Sequence, residues 1–392
     1  MKRLQVLLLV ALSSALILVG CGKKEEVEEP VVAQVIEPQP ELETDKTDAI
    51  EESATDDDVP PEEGMVRSTL TNEWIDGDLE DIRPISIMVP NDSAALPHYN
   101  LSKADILYEC PVEGSITRSM AVIKDWDGLE RIGNVRSCRD YFVYWSFEWD
   151  SIYLHFGGPF YIDNIVERED TDHITGCAYG DKKTDGMYEG TFYRATDKKA
   201  PQNAYASAEG INKGIEKFGY SKTYRDSYYN PDHFKFASSK KPNTLEAYSD
   251  AITAKEVDMK PAYPVTKTSF TYNEEDGLYY RYMYGKPDVD AANNEAQLSF
   301  KNLLVQFTYH EVRDEKGYLA FQVHDTTRDG YYFTNGKGIH VTWKKTADYE
   351  PTKYYDDNGN EIQINTGKTM ICVVEEGDSF NVDGTSLQSK AK

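Results

Sequence analysis

An uncharged run of 16 residues, Leu4 to Val19, stands behind Lys2 and Arg3 and closes on Leu18-Val19-Gly20-Cys21. A basic start, an apolar centre and a small residue before the cut define a secretory signal peptide, residues 1–20. Leu18, Gly20 and the cysteine after them form a lipoprotein cleavage box, so Cys21 is the expected lipidation site. A membrane-spanning helix needs roughly 20 apolar residues, and this run is shorter and ends at the cysteine. The rest of the chain is therefore expected to fold on the extracytoplasmic face of the cell membrane. Its anchor would be lipid at Cys21, each buried acyl methylene contributing about 0.8 kcal/mol.

Residues 22–64 hold 16 acidic and three basic residues, half of the net charge of −26. They contain no aromatic residue and cannot bury enough surface to offset chain entropy, so residues 21–64 read as a lipidated cysteine followed by a disordered acidic tether. As a flexible coil the tether would span roughly 35 Å. Its acidity argues against nucleic acid as a partner, because phosphate contacts need Lys and Arg.

Aromatic residues become frequent from Met65 onward, and more than 300 residues exceed a typical single core, so two domains are expected. In residues 65–242, Ile85 to Val89, Ile106 to Tyr108, Met120 to Ile123 and Ser151 to Phe156 are strand-like apolar runs. Asp140 to Glu148 has the acidic start of a helix. Ile211, Ile215 and Phe218 follow the cap Ser207 at helical spacing. Strands alternating with helices predict an α/β layer. Residues 263–376 carry Leu303 to Phe307, Leu319 to Val323, Ile339 to Trp343 and Met370 to Val374, with the hairpin pairs Asn335-Gly336 and Asn358-Gly359. This predicts a mostly β domain. Residues 243–262 read as the connection and 377–392 as a tail.

The segment from Asp105 to His155 gathers Glu109, Glu113, Arg118, Arg136, Arg139, Asp140 and His155. Charged strand ends are where an α/β sheet receives its ligand, and arginines fork onto carboxylate or phosphate. The bland alternative is a structural network, with Arg118, Arg136 and Arg139 paired to Glu109, Glu113 and Asp140. His155 before Gly157-Gly158 is either a strand-end ligand contact or a satisfied core histidine. Asp288, Asp290 and Asn293 supply calcium-like oxygens without the glycine of a calcium loop. Cys110, Cys138, Cys177 and Cys372 allow three pairings, and their spacing favours none. No residue pattern calls for a metal or cofactor, and no catalytic group is identified.

Several segments resemble the YerB-like lipoprotein family. They are Arg83 to Val89, Leu101 to Glu109, Val112 to Arg118, Ile132 to Ser137, Arg139 to Val143, His155 to Gly158 and Ala200-Pro201-Gln202-Asn203, then Gly330 to Lys337 and Thr352 to Asp356. The resemblance covers nearly all of residues 65–376 and implies a two-domain envelope lipoprotein whose biochemical activity is not established. A second likeness is at the level of the fold. The LytR–CpsA–Psr enzymes, which move glycopolymers from polyprenyl pyrophosphate to the wall, have similar motifs. Here these are Arg118-Ser119-Met120, Arg136-Ser137-Cys138-Arg139-Asp140 and Gln202-Asn203-Ala204-Tyr205. Met120 stands where those enzymes keep a magnesium-binding Asp, and Cys138 replaces their Pro.

Two functions follow as expectations. One is a non-catalytic lipoprotein that binds an anionic cell-wall precursor or an envelope protein, with Arg118, Arg136, Arg139, Asp140, His155, Asn203 and Glu113 at the site. The other is a phosphotransferase on lipid-linked glycan, which alone would need magnesium.

Overall fold

Three apolar runs form the centre of the molecule: β1 (Ile85–Pro90), β2 (Ile106–Pro111) and β3 (Thr117–Ile123). Each is buried along its whole length, as strands covered on both faces must be. They belong to a computed structural model that describes residues 59–177 and 190–390. The signal peptide, Cys21 and the tether up to residue 58 lie outside the described residues.

After β3 come α1 (Asp140–Phe147), β4 (Ile152–His155), β5 (His173–Thr175) and α2 (Ala208–Phe218). The Ser207 hydroxyl caps α2 by accepting from the Gly210 amide, and Gly219 ends it at a φ of 71°. The regular elements of the remaining described chain are strands, among them β6 (Ile252–Thr253), β7 (Glu256–Asp258), β8 (Ser269–Asn273), β9 (Leu278–Met283), β10 (Asn302–Thr308), β11 (His310–Val312), β12 (Leu319–Phe321), β13 (Thr326–Thr334), β14 (Lys337–Lys345), β15 (Lys353–Tyr355), β16 (Thr369–Glu375), β17 (Ser379–Val382) and β18 (Thr385–Gln388). Asn335 and Gly336 join β13 to β14 with φ values of 50° and 70°, the positive pair that a tight two-residue hairpin requires.

The main sheet runs β6-β14-β13-β10-β16-β2-β3-β1-β4-β5, with β15 beside β14. The N-terminal region is thus a mixed sheet with helices and the C-terminal region mostly strand. Yet the two regions share one sheet, because β16 pairs in parallel with both β10 and β2. Residues 252–258, inside the expected connection, and 379–388, inside the expected tail, are strands as well. Val257, Phe380 and Val382 bury there, in apolar patterns too short to stand out in the sequence.

Alternate side chains along each strand point to opposite faces. Ile85, Ile87, Val89 and Leu154 pack with Ile211 and Ile215 of α2 and with Val257, Phe270 and Phe380 of a second sheet, in the order β9-β8-β7-β17-β18. Met88, Tyr108, Met120 and Tyr153 pack on the other face with Phe142 and Trp145 of α1. That second face carries the candidate site.

Candidate functional site

The parallel strands β1 and β4 end side by side. Between their carboxyl ends runs the segment 136–138: the Arg136 amide donates to the Met88 carbonyl at 2.9 Å, the Phe156 amide to the Arg136 carbonyl at 2.9 Å, and the Cys138 amide to the Gly157 carbonyl at 2.8 Å. The same segment leads into α1. β3 runs antiparallel to β1 and brings Arg118 opposite Pro90, at the same end of the sheet. Three arginines therefore meet where strand ends and a helix start converge, the usual ligand position of such sheets.

Arg118 is 6% exposed. Its Nη1 donates to the Ser137 carbonyl at 2.8 Å, and its buried Nε has no partner. No carboxylate pairs with it among the described residues. Burial, and next the Arg139 cation, pull its pKa down to about 10, with Arg136 acting in the same direction and Glu113 against it. Arg136 is half-buried, its Nε also lacks a partner, and it forms no ion pair among the described residues. Arg139 is the partnered member of the three. Its Nε donates to Glu113 Oε2 at 3.0 Å and its Nη2 to Glu113 Oε1, a bidentate fork.

The expected carboxylate network is therefore mostly absent. Glu109 turns to Arg281 at 2.8 Å, and Asp140 pairs with Arg313. Those two carboxylates belong to other cations, and among the described residues only Glu113 pairs with one of the three arginines.

His155 is fully buried on the same face. Its Nδ1 lies 2.8 Å from the Gly157 carbonyl and must donate there, so Nε2 accepts from His173 Nδ1 at 3.0 Å. Burial brings its pKa down to about 4, against the pull of the Gly157 carbonyl. It is a neutral core histidine that props the strand end. Asn203 spends its amide on Arg194 at 2.8 Å and on the Ala195 carbonyl at 2.9 Å, so the structure does not bring it to the arginines.

Sequence reasoning missed the far wall of the site, which is the β11–β12 hairpin from the C-terminal region. Besides the Arg313 pair with Asp140, Asp314 accepts from the Tyr161 hydroxyl at 2.7 Å and the Tyr318 ring lies 5.2 Å from the Arg139 guanidinium. Phe321 packs edge-on against Tyr141 of α1 at 5.0 Å. The available signal was Arg313-Asp314 ahead of the Gly317 turn, but nothing in the sequence says that this hairpin folds back onto α1. Beside it opens a cavity of about 410 Å³, lined by Glu113, Thr117, Pro261, His310, Leu319 and Glu375.

A magnesium ion, which the transferase likeness implies, does not fit the donors here. Met120 is fully buried among Met88 and Tyr108, so it leaves neither a carboxylate nor space for one. Glu113 and Asp140 are held by arginines, and among the described residues no three His, Cys, Asp or Glu side chains are grouped to hold a metal. The calcium-like oxygens are also used internally: Asp288 pairs with Arg281, and Asp290 accepts from the Asn100 and Ser102 amides. Cys110 and Cys372 lie on paired strands but in opposite cores, so they do not bridge. The Cys138 thiol is pushed up to about 12 by burial and is no nucleophile.

Fold and site together define a class, the two-region α/β protein with an arginine-lined strand end. Within it, the chain matches the family described as "Protein of unknown function (DUF3048) N-terminal domain" over residues 70–221 and the corresponding C-terminal domain over residues 257–371. It is 28% identical over 327 residues to the Bacillus subtilis protein named "Putative lipoprotein YerB", covering 83% of this chain and 91% of that one. The crystal structure of the YerB protein from Bacillus subtilis superposes with a TM-score of 0.65 at 25% identity, over 79% of this chain and 96% of that one. The chain belongs to the YerB-like family.

Proposed function

We propose that this protein is an extracytoplasmic lipoprotein, anchored through Cys21, whose arginine-lined strand end binds an anionic ligand without catalysis. The anchor rests on the cleavage box at residues 18–21 and on the name of the Bacillus relative. One observation carries the binding reading: Arg118 is buried, next to Arg136, with no carboxylate of its own among the described residues. A buried charge is costly unless it is paired. A fold that keeps a guanidinium there, its Nε without a partner, holds a charge that an anion supplied from outside would compensate. Planar donors suit phosphate or carboxylate, the groups that an anionic wall precursor or an acidic segment of an envelope protein would present.

The transferase reading lacks its metal carboxylate at position 120, where Met120 is fully buried beside Met88 and Tyr108. The test is thermal unfolding of the full chain with inorganic phosphate and pyrophosphate. Binding to the native state alone stabilises it by about 2.7 kcal/mol at a hundredfold excess over Kd, so the melting temperature rises with ligand concentration. No shift with either anion contradicts the reading.

A further inference from the structure

Glu113 sits at the tip of the β2–β3 connection, in the turn Glu113–Ser115. The base of this connection is fixed, because the Val112 amide donates to the Ile116 carbonyl at 2.8 Å. The tip stands clear of the rest of the chain: Gly114 and Ser115 have φ values of 78° and 58°, and a side chain built on Gly114 would meet open space. From this tip the carboxylate forks onto Arg139 with both oxygens, the geometry an external carboxylate or phosphate would use. Burial opposes its charge, yet Arg139 outweighs burial and holds the carboxyl below its ordinary range. Arg118 and Arg136, beside it, have no such partner among the described residues.

We propose that Glu113 is a built-in competitor, an internal carboxylate that holds Arg139 until an incoming polyanion displaces it. This rests on the anion-binding reading above and adds a selectivity rule. A small monoanion satisfies Arg118 and Arg136 and leaves Glu113 in place. A ligand with adjacent acidic groups engages all three arginines, expels Glu113 and releases the 113–115 tip. The cavity of about 410 Å³ that Glu113 also lines gives the displaced side chain room. Ligand occupancy is thereby linked to a surface turn, where a partner can read it.

The experiment is calorimetric titration of the full chain with inorganic phosphate and with inorganic pyrophosphate, for wild type, Glu113→Gln, Glu113→Ala and Arg136→Ala. A site that is partly self-occupied binds more weakly by the fraction of time it is free. Removing the competitor should therefore tighten pyrophosphate about tenfold, with a smaller gain for phosphate. In the wild type, hydrogen exchange of the 113–115 amides should speed up with pyrophosphate. If Arg136→Ala loses binding while both Glu113 variants bind as the wild type or more weakly, the competitor is disproved and the binding site remains. Unchanged exchange in the turn likewise overturns the competitor. If no variant binds either anion, both claims fall.

Discussion

Arg281 of β9 and Glu109 of β2 meet at 2.8 Å, and both side chains are fully buried. The contact joins a strand of the C-terminal region to one of the N-terminal region. Glu109 also accepts from Asn91 at 3.2 Å, Thr117 at 2.5 Å and Thr268 at 2.8 Å, while Arg281 pairs in addition with Asp288. Buried charges are tolerable when they are satisfied to this degree.

Arg281→Met should accordingly strand two carboxylates and cost about 3–5 kcal/mol. Since β2 and β16 share one sheet, both regions should unfold in the same transition. Denaturant titration followed by tryptophan fluorescence checks this. A loss below about 1 kcal/mol, the scale of an exposed pair, would contradict it.

Acid should destabilise the fold through its buried histidines. Burial holds His98 at about 3 and His155 at about 4, against 6.5 for the free side chain. Between those values the unfolded chain binds protons that the folded chain refuses. Stability is then full above 6.5 and falls as pH drops toward 4, by up to about 1.4 kcal/mol per pH unit for each histidine. Asp105, pushed up to about 6 by burial, acts in the opposite direction, since its contribution is lost as pH rises through that value. The two histidines outweigh it. Melting temperature across this window should fall with acid, and His98→Asn should flatten the profile. A profile that His98→Asn leaves as steep as before would refute the assignment.

Cys21→Ala should abolish acylation, because the thiol is the acceptor that the cleavage box presents. Metabolic labelling with an alkyne fatty acid reads this directly. Equal label on the variant and the wild type would end the lipid-anchor account.

Much of the fold was legible in local pattern. β1 to β4 are built around short apolar runs, α2 carries both of its caps, and Asn335-Gly336 marks its hairpin through a backbone conformation that few residues adopt. The union of the two regions was not legible. It depends on Cys372 lying opposite Glu109, and no local rule reports a pairing across so much chain. The site was half legible for the same reason. Arg118, Arg136 and Arg139 announce themselves by charge in an apolar segment, but their pairing does not. Glu109 and Asp140 are drawn off by Arg281 and Arg313, which lie in the other region.

In the proposed function, Arg118 and Arg136 receive an external anion. The most direct test is calorimetric titration of the full chain with inorganic pyrophosphate, comparing wild type with Arg136→Ala. Arg136 is partly solvated and unpaired, so its loss should leave the melting temperature nearly unchanged, within the about 0–1 kcal/mol that such surface charges contribute. Binding should weaken by at least about tenfold, the loss of one charge-assisted contact worth about 1.4 kcal/mol or more. Equal affinity in the two proteins, or a variant that melts far earlier while still binding, would show that the arginines serve the fold and not a ligand.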